Sequence, residues 1–143
     1  MRRFLSLSAV AASLVVATAF TPISSHLLRD WTATLAGKDG RKVTGSAAVK
    51  SAGAGVEVTV TLDGDTPGAT RPWHIHTGSC AKSGGVFGAA RAYSPIVIDL
   101  KGHGSATAKL ETPPSDTTTY YVNIHDSGAA MGTIVACGDL AKR

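Results

Sequence analysis

The residues of this chain best equipped for chemistry are imidazoles. The segment "RPWHIHTGSC", Arg71 to Cys80, sets His74 and His76 one residue apart, and "YYVNIHD" ends with His125 followed by an aspartate. Side chains of an extended strand alternate between its faces, so His74 and His76 share one face while Trp73, Ile75 and Thr77 take the other. Trp73 and Ile75 belong in a core, which turns both imidazoles outward, side by side and close enough to hold one ion. The same alternation in the second segment sends Tyr120, Val122 and Ile124 inward and Tyr121, Asn123 and His125 outward. Imidazole is a borderline ligand that suits copper and zinc. Three imidazoles with an open position make a copper type of site, and the divalent affinity order favours copper over zinc. A second reading stays open at this level, in which the three are ordinary solvated histidines on strands. His103, between two glycines in "KGHGS", reads as a solvated turn residue, and His26 is given no role.

Cys80 and Cys137 are the two cysteines of the chain. Neither sits in a C-x-x-C pair, which argues against thiolate metal ligands. Two separated cysteines in an exported chain pair as a disulfide, and that bridge is expected here. It would close a loop of about sixty residues, for which the loop-entropy model gives about 4 kcal/mol. It would also tie the end of the H-x-H strand to the strand after His125, drawing the three histidines into one neighbourhood. No serine or cysteine nucleophile is expected, because "TGSC" and "HDSG" lack a strand-turn-helix context and a bridged Cys80 has no free thiol.

Export is read from "MRRFLSLSAVAASLVVATAF": Arg2 and Arg3 precede an apolar run ending in the small-x-small pattern Ala17-Thr18-Ala19. Cleavage is expected after Ala19, with residues 20–30 a loose lead-in and 31–143 one domain. The run is shorter than the ~20 residues of a membrane span, so no span is expected after cleavage, and no nearby cysteine offers a lipid anchor. Removing Arg2 and Arg3 lowers the formal charge of +4 to +2. The remaining Lys and Arg are scattered and not interleaved with aromatics, which excludes nucleic acid as a partner. The expected location is the periplasm or the exterior.

What must position the histidines is a set of short β-branched or alternating runs. Strands are expected at Trp31 to Ala36, Lys42 to Lys50, Gly55 to Leu62, Arg71 to Thr77, Ile96 to Leu100, Ser105 to Glu111, Thr118 to His125 and Gly132 to Leu140, with no helix. Hairpin turns fit residues 37–41, 51–55, 62–65 and 101–104. Two longer irregular pieces, 81–94 and 126–132, are the loops expected to carry function. The fold class is all-β, an eight-stranded antiparallel sandwich or flattened barrel.

The residues resemble a family. "HIHTGSC" is similar to the H-[VI]-H-x-x-G-x-C segment of bacterial copper/zinc superoxide dismutases, "IVACGDL" to their closing A-C-G segment, and "YYVNIHD" to their late V-x-H strand. The resemblance implies a Greek-key β-sandwich, copper ligands at His74, His76 and His125, and a Cys80–Cys137 disulfide. The family's bridging histidine and zinc ligands follow its first cysteine, but "AKSGGVFGAARAYSPIVID" holds no histidine and Asp99 alone cannot make a zinc site. One copper ion and no zinc are therefore expected. The family's anion-guiding arginine, three residues before the closing cysteine, is matched by Ile134, which leaves Arg71 or Arg91 to replace its charge. The expected partners are superoxide or a copper donor or acceptor, and whether the chain is an enzyme stays open. "HIH" and "YYVNIHDSGAAMGTIVACGDL" are also similar to chordin-type (CHRD) domains, which implies instead a metal-free β-sandwich interaction module.

Overall fold

A computed structural model describes residues 30–143. The expected signal sequence, its cleavage point and nearly all of the lead-in lie outside the described residues. The strands are β1 (Trp31–Gly37), β2 (Thr44–Ala52), β3 (Gly55–Asp63), β4 (Thr70–Arg71), β5 (Trp73–Ser79), β6 (Lys82–Val86), β7 (Ile96–Val97), β8 (Gly104–Leu110), β9 (Tyr120–His125), β10 (Ile134–Asp139) and β11 (Ala141–Lys142). A single 3-10 turn spans Ala90–Ala92, and no α-helix occurs among the described residues.

The long strands follow the antiparallel order β6-β5-β9-β10-β1-β2-β3-β8, while β11 pairs with the start of β1 and β4 with β7 in a separate ribbon. The meander β1 to β3 is made by hairpins. At its first turn Asp39 and Gly40 take left-handed backbone angles (φ 52° and 79°), which a "KDG" sequence accommodates. Three connections are not hairpins: β3 to β5, β6 to β8 and β8 to β9 carry the chain between the two ends of the sheet. They place β10, from the end of the chain, beside β1, which is the Greek-key arrangement. The curled sheet is an all-β flattened barrel, with Leu35, Val49, Val58, Val60, Trp73, Ile75, Val122 and Ile124 packed in one core.

Seven of the expected strands are present in the main sheet, and two assignments are corrected. Ile96 to Leu100 contributes only β7, outside the main sheet, because Asp99 turns the chain instead. Its carboxylate accepts the backbone N–H of Lys101 at 2.8 Å and of His103 at 2.9 Å, leaving Leu100 90% exposed. The eighth strand of the path is β6, within the segment read as irregular; its glycines have low β propensity, and pairing with β5 makes it a strand. Arg71 is also separated from the histidine strand, since Pro72 brings no N–H to a ladder and β5 starts at Trp73.

The outward face of β9 is covered. Tyr121, Asn123 and His125 point away from the core as expected, yet they are only 1%, 8% and 5% exposed. The β5–β6 turn covers this face. A register shift between His76 and Gly78, with Gly78 at φ 102°, bends the strand end over β9. Cys80 is then bridged to Cys137 of β10, and its backbone N–H donates to Asp139 Oδ1 at 2.7 Å. Because β9 lies between β5 and β10, this bridge passes across the outer face of β9.

Candidate metal centre

The three histidines converge as the strand pattern requires. In the β5–β9 ladder His74 faces Asn123 and His76 faces Tyr121, and His125 ends β9 one pleat beyond Asn123 on the same side. The ring centroids of His74 and His125 are 5.3 Å apart, those of His74 and His76 5.8 Å, and those of His76 and His125 5.9 Å. One ligand nitrogen from each lies within 4.8 Å of the others. Among the described residues, this is the one group of at least three His, Cys, Asp or Glu side chains with such spacing.

Backbone carbonyls decide which nitrogens are free. A carbonyl only accepts, so the ring nitrogen facing it carries the proton. His125 Nδ1 donates to the Met131 carbonyl at 2.6 Å, and His76 Nδ1 donates to the Gly84 carbonyl at 3.1 Å. Each ring therefore offers an unprotonated Nε2. His76 Nε2 is buried and has no hydrogen-bond partner, while His125 Nε2 lies 3.3 Å from His74 Nδ1. A buried nitrogen without a partner costs about 1–3 kcal/mol, a cost that a bound cation removes.

The walls are aromatic. Tyr121 stacks on His76 with centroids 5.3 Å apart, and Tyr93 meets His74 edge to face at 5.2 Å. Tyr93 is itself fixed by its hydroxyl, which donates to the Phe87 carbonyl at 2.5 Å. Burial, followed by the neighbouring charges of His125 and His76, pushes His74 down to about 4. His125 is lowered by burial and by His76, against the opposing hydrogen bond to Met131. Both rings are thus neutral at neutral pH, the form in which imidazole binds a metal.

The donor set fits an ion. Nitrogens each about 2.0–2.1 Å from a shared metal lie no more than about 4 Å apart. The His74–His125 pair already meets that limit, and the other separations stay within 4.8 Å. Carbonyl acceptors on two of the three second nitrogens are the outer-shell arrangement that orients imidazole ligands.

Arg71 and Arg91 divide clearly. Arg71 is 5% exposed, and its Nε and Nη2 donate to the Asp65 carboxylate at 2.8 and 2.7 Å. Its Nη1 donates to the Asp126 carbonyl at 2.6 Å and carboxylate at 3.1 Å, and Arg41 lies 3.4 Å from the same carboxylate. That charge is neutralised within the protein and does not face solvent as a guide for anions. Arg91 is exposed on the 3-10 turn. Ile134 stands opposite His125 in the β9–β10 ladder and puts an apolar side chain beside it. His103 is half-exposed, with Nδ1 2.7 Å from Asp63 Oδ1, outside the cluster.

Sequence reasoning did not find the carbonyls of Gly84 and Met131 or the walls Tyr93 and Tyr121. A carbonyl leaves no mark in residue type. Gly84 carries a faint one, because a Cβ there would fall onto the carbonyl and hydroxyl of Thr77. No described helix is long and apolar enough to cross a membrane. No protein-family model matches the chain, and no curated protein is similar to it.

Proposed function

We propose that this is an exported protein, superoxide-dismutase-like, that binds a single copper ion through His74 Nδ1, His76 Nε2 and His125 Nε2 and serves copper handling or superoxide defence. The observation that carries the reading is the buried, unpartnered His76 Nε2 within a cluster of three imidazoles. Copper bound there would supply one-electron exchange between its cupric and cuprous states. The chain's own part is to present the donors in the right protonation state. Gly84 and Met131 hold the Nδ1 protons of His76 and His125, and Tyr121 and Tyr93 limit rotation of His76 and His74. The disulfide accords with an oxidising compartment. Arg71 is engaged internally and Ile134 puts an apolar side chain beside His125, so neither supplies a free charge to draw in an anion, which favours copper handling over fast dismutation.

Metal analysis of the protein after copper loading tests this. One equivalent retained by the parent and lost in both His76→Ala and His125→Ala is the expected result. No copper retained by the parent overturns it and leaves the metal-free, chordin-type interaction module. Superoxide decay measured with free copper chelated then separates an enzyme from a carrier, and turnover at background removes the dismutase reading.

A further inference from the structure

The loop between β9 and β10 supplies the carbonyl that orients His125, and it is anchored from outside itself. Within the loop, Asp126 N–H donates to Thr133 O at 2.9 Å, Ala130 N–H to Ser127 O at 3.1 Å and Thr133 N–H to Ala130 O at 3.1 Å. These bonds make residues 126–133 a self-contained tab that carries Met131 at one end. Its base is gripped by two consecutive residues of the opposite connection. The Pro72 carbonyl accepts the His125 backbone N–H at 2.8 Å, and Arg71 Nη1 reaches both the carbonyl and the carboxylate of Asp126. Arg71 cannot swing away, since Nε and Nη2 are locked in the fork on Asp65, whose own Oδ1 also accepts the Thr66 N–H at 2.7 Å. A buried, bidentate guanidinium is a geometric fixture that a lysine cannot reproduce.

We propose that Arg71 is a positioning residue for the histidine cluster: through Asp126 it holds the 126–133 tab so that the Met131 carbonyl keeps the proton of His125 on Nδ1 and its Nε2 free. The buried charge is retained for orientation and not for attracting anions. This rests on the metal-binding reading for its purpose but not for its test, because the hydrogen bond exists in the metal-free protein. Removing such outer-shell support from a metal ligand typically costs 10–100-fold in affinity.

The test is ring-nitrogen NMR of the metal-free protein, with copper(II) affinity measured by chelator competition as the second readout. The variants are Arg71→Lys, the charge-matched double variant Asp65→Asn/Arg71→Gln, and Asp126→Ala, which keeps the Arg71–Asp65 fork should the others fail to fold. Val58→Ala, on the core face of β3, serves as a destabilised control. In the parent and in Val58→Ala, His125 should show one tautomer with a slowly exchanging Nδ1 proton. The Arg71 variants should show averaged tautomers and copper binding about 10–100-fold weaker, and Asp126→Ala, which keeps the bond from Arg71 to the Asp126 carbonyl, a smaller change in the same direction. An unchanged His125 signature in every folded variant overturns the proposal, as does the same averaging in Val58→Ala. If the parent binds no copper, the metal reading fails while the ring signature still decides the role of Arg71.

Discussion

One half of the curled sheet, β1-β2-β3-β8, and the other, β6-β5-β9-β10, have the same inward face and opposite outward ones. In the first half the outward side chains are Thr32, Thr34, Ser46, Thr59, Thr61, Thr107 and Lys109, exposed or half-exposed, with contacts as slight as the 3.0 Å Ser46–Thr61 hydroxyl pair. In the second, β9 is buried along its whole length, because the β5–β6 turn and the 126–133 loop close over it. The difference teaches that alternation reports which face a side chain is on, and not whether that face is wet. The same outward register yields a solvated hydroxyl surface in one half and a partly buried imidazole cluster in the other.

The covering can be removed, which is the strongest way to break the comparison. The double variant Cys80→Ala/Cys137→Ala frees a loop with a sequence separation of 57 and should lose about 4 kcal/mol in denaturant unfolding. Exchange protection should fall first at β6 and the outer face of β9, with β2 and β3 unaffected until global unfolding. Matched substitutions on the two outward faces sharpen it further. Tyr121→Ala should cost about 3 kcal/mol, as for a core aromatic, whereas Thr59→Ala should stay within about 0.5 kcal/mol. Equal losses at the two positions would abolish the distinction.

Acid should act on only one half. The folded state holds His74 at about 4, well below its ordinary 6.5, so between these values the unfolded chain binds more protons. The stability of the metal-free protein is therefore full above about pH 6.5 and lost as pH falls toward 4. His74 alone can contribute up to about 1.36 kcal/mol per pH unit in that window, and His125 adds in the same direction. Unfolding measured across this range should show a flatter slope in His74→Leu and an unchanged one in Thr59→Ala.

Much of this was legible from residue type. The burial of Trp73 and Ile75, the shared face of His74 and His76, and the pairing of Cys80 with Cys137 follow from alternation and from cysteine count. The covering of β9 was not, because it depends on where a bent strand end lands in space. Gly78 permits the bend, but a glycine does not state its direction. Neither was the short β7, where the side chain of Asp99 competes with the ladder for backbone N–H groups. Arg71 was visible as a charge; its internal anchoring depends on where the fold brings Asp65 and Asp126.

The position of β9 between β5 and β10 also decides when the cluster is complete. His74 and His76 lie on β5 and His125 ends β9, so the third imidazole joins the other two only when β9 is paired with β5. A nascent chain ending before Tyr120 carries a bidentate pair and no third donor. The three-imidazole cluster is therefore a property of the paired β5–β9 ladder, and a truncation that removes the C-terminal strands removes the cluster with them.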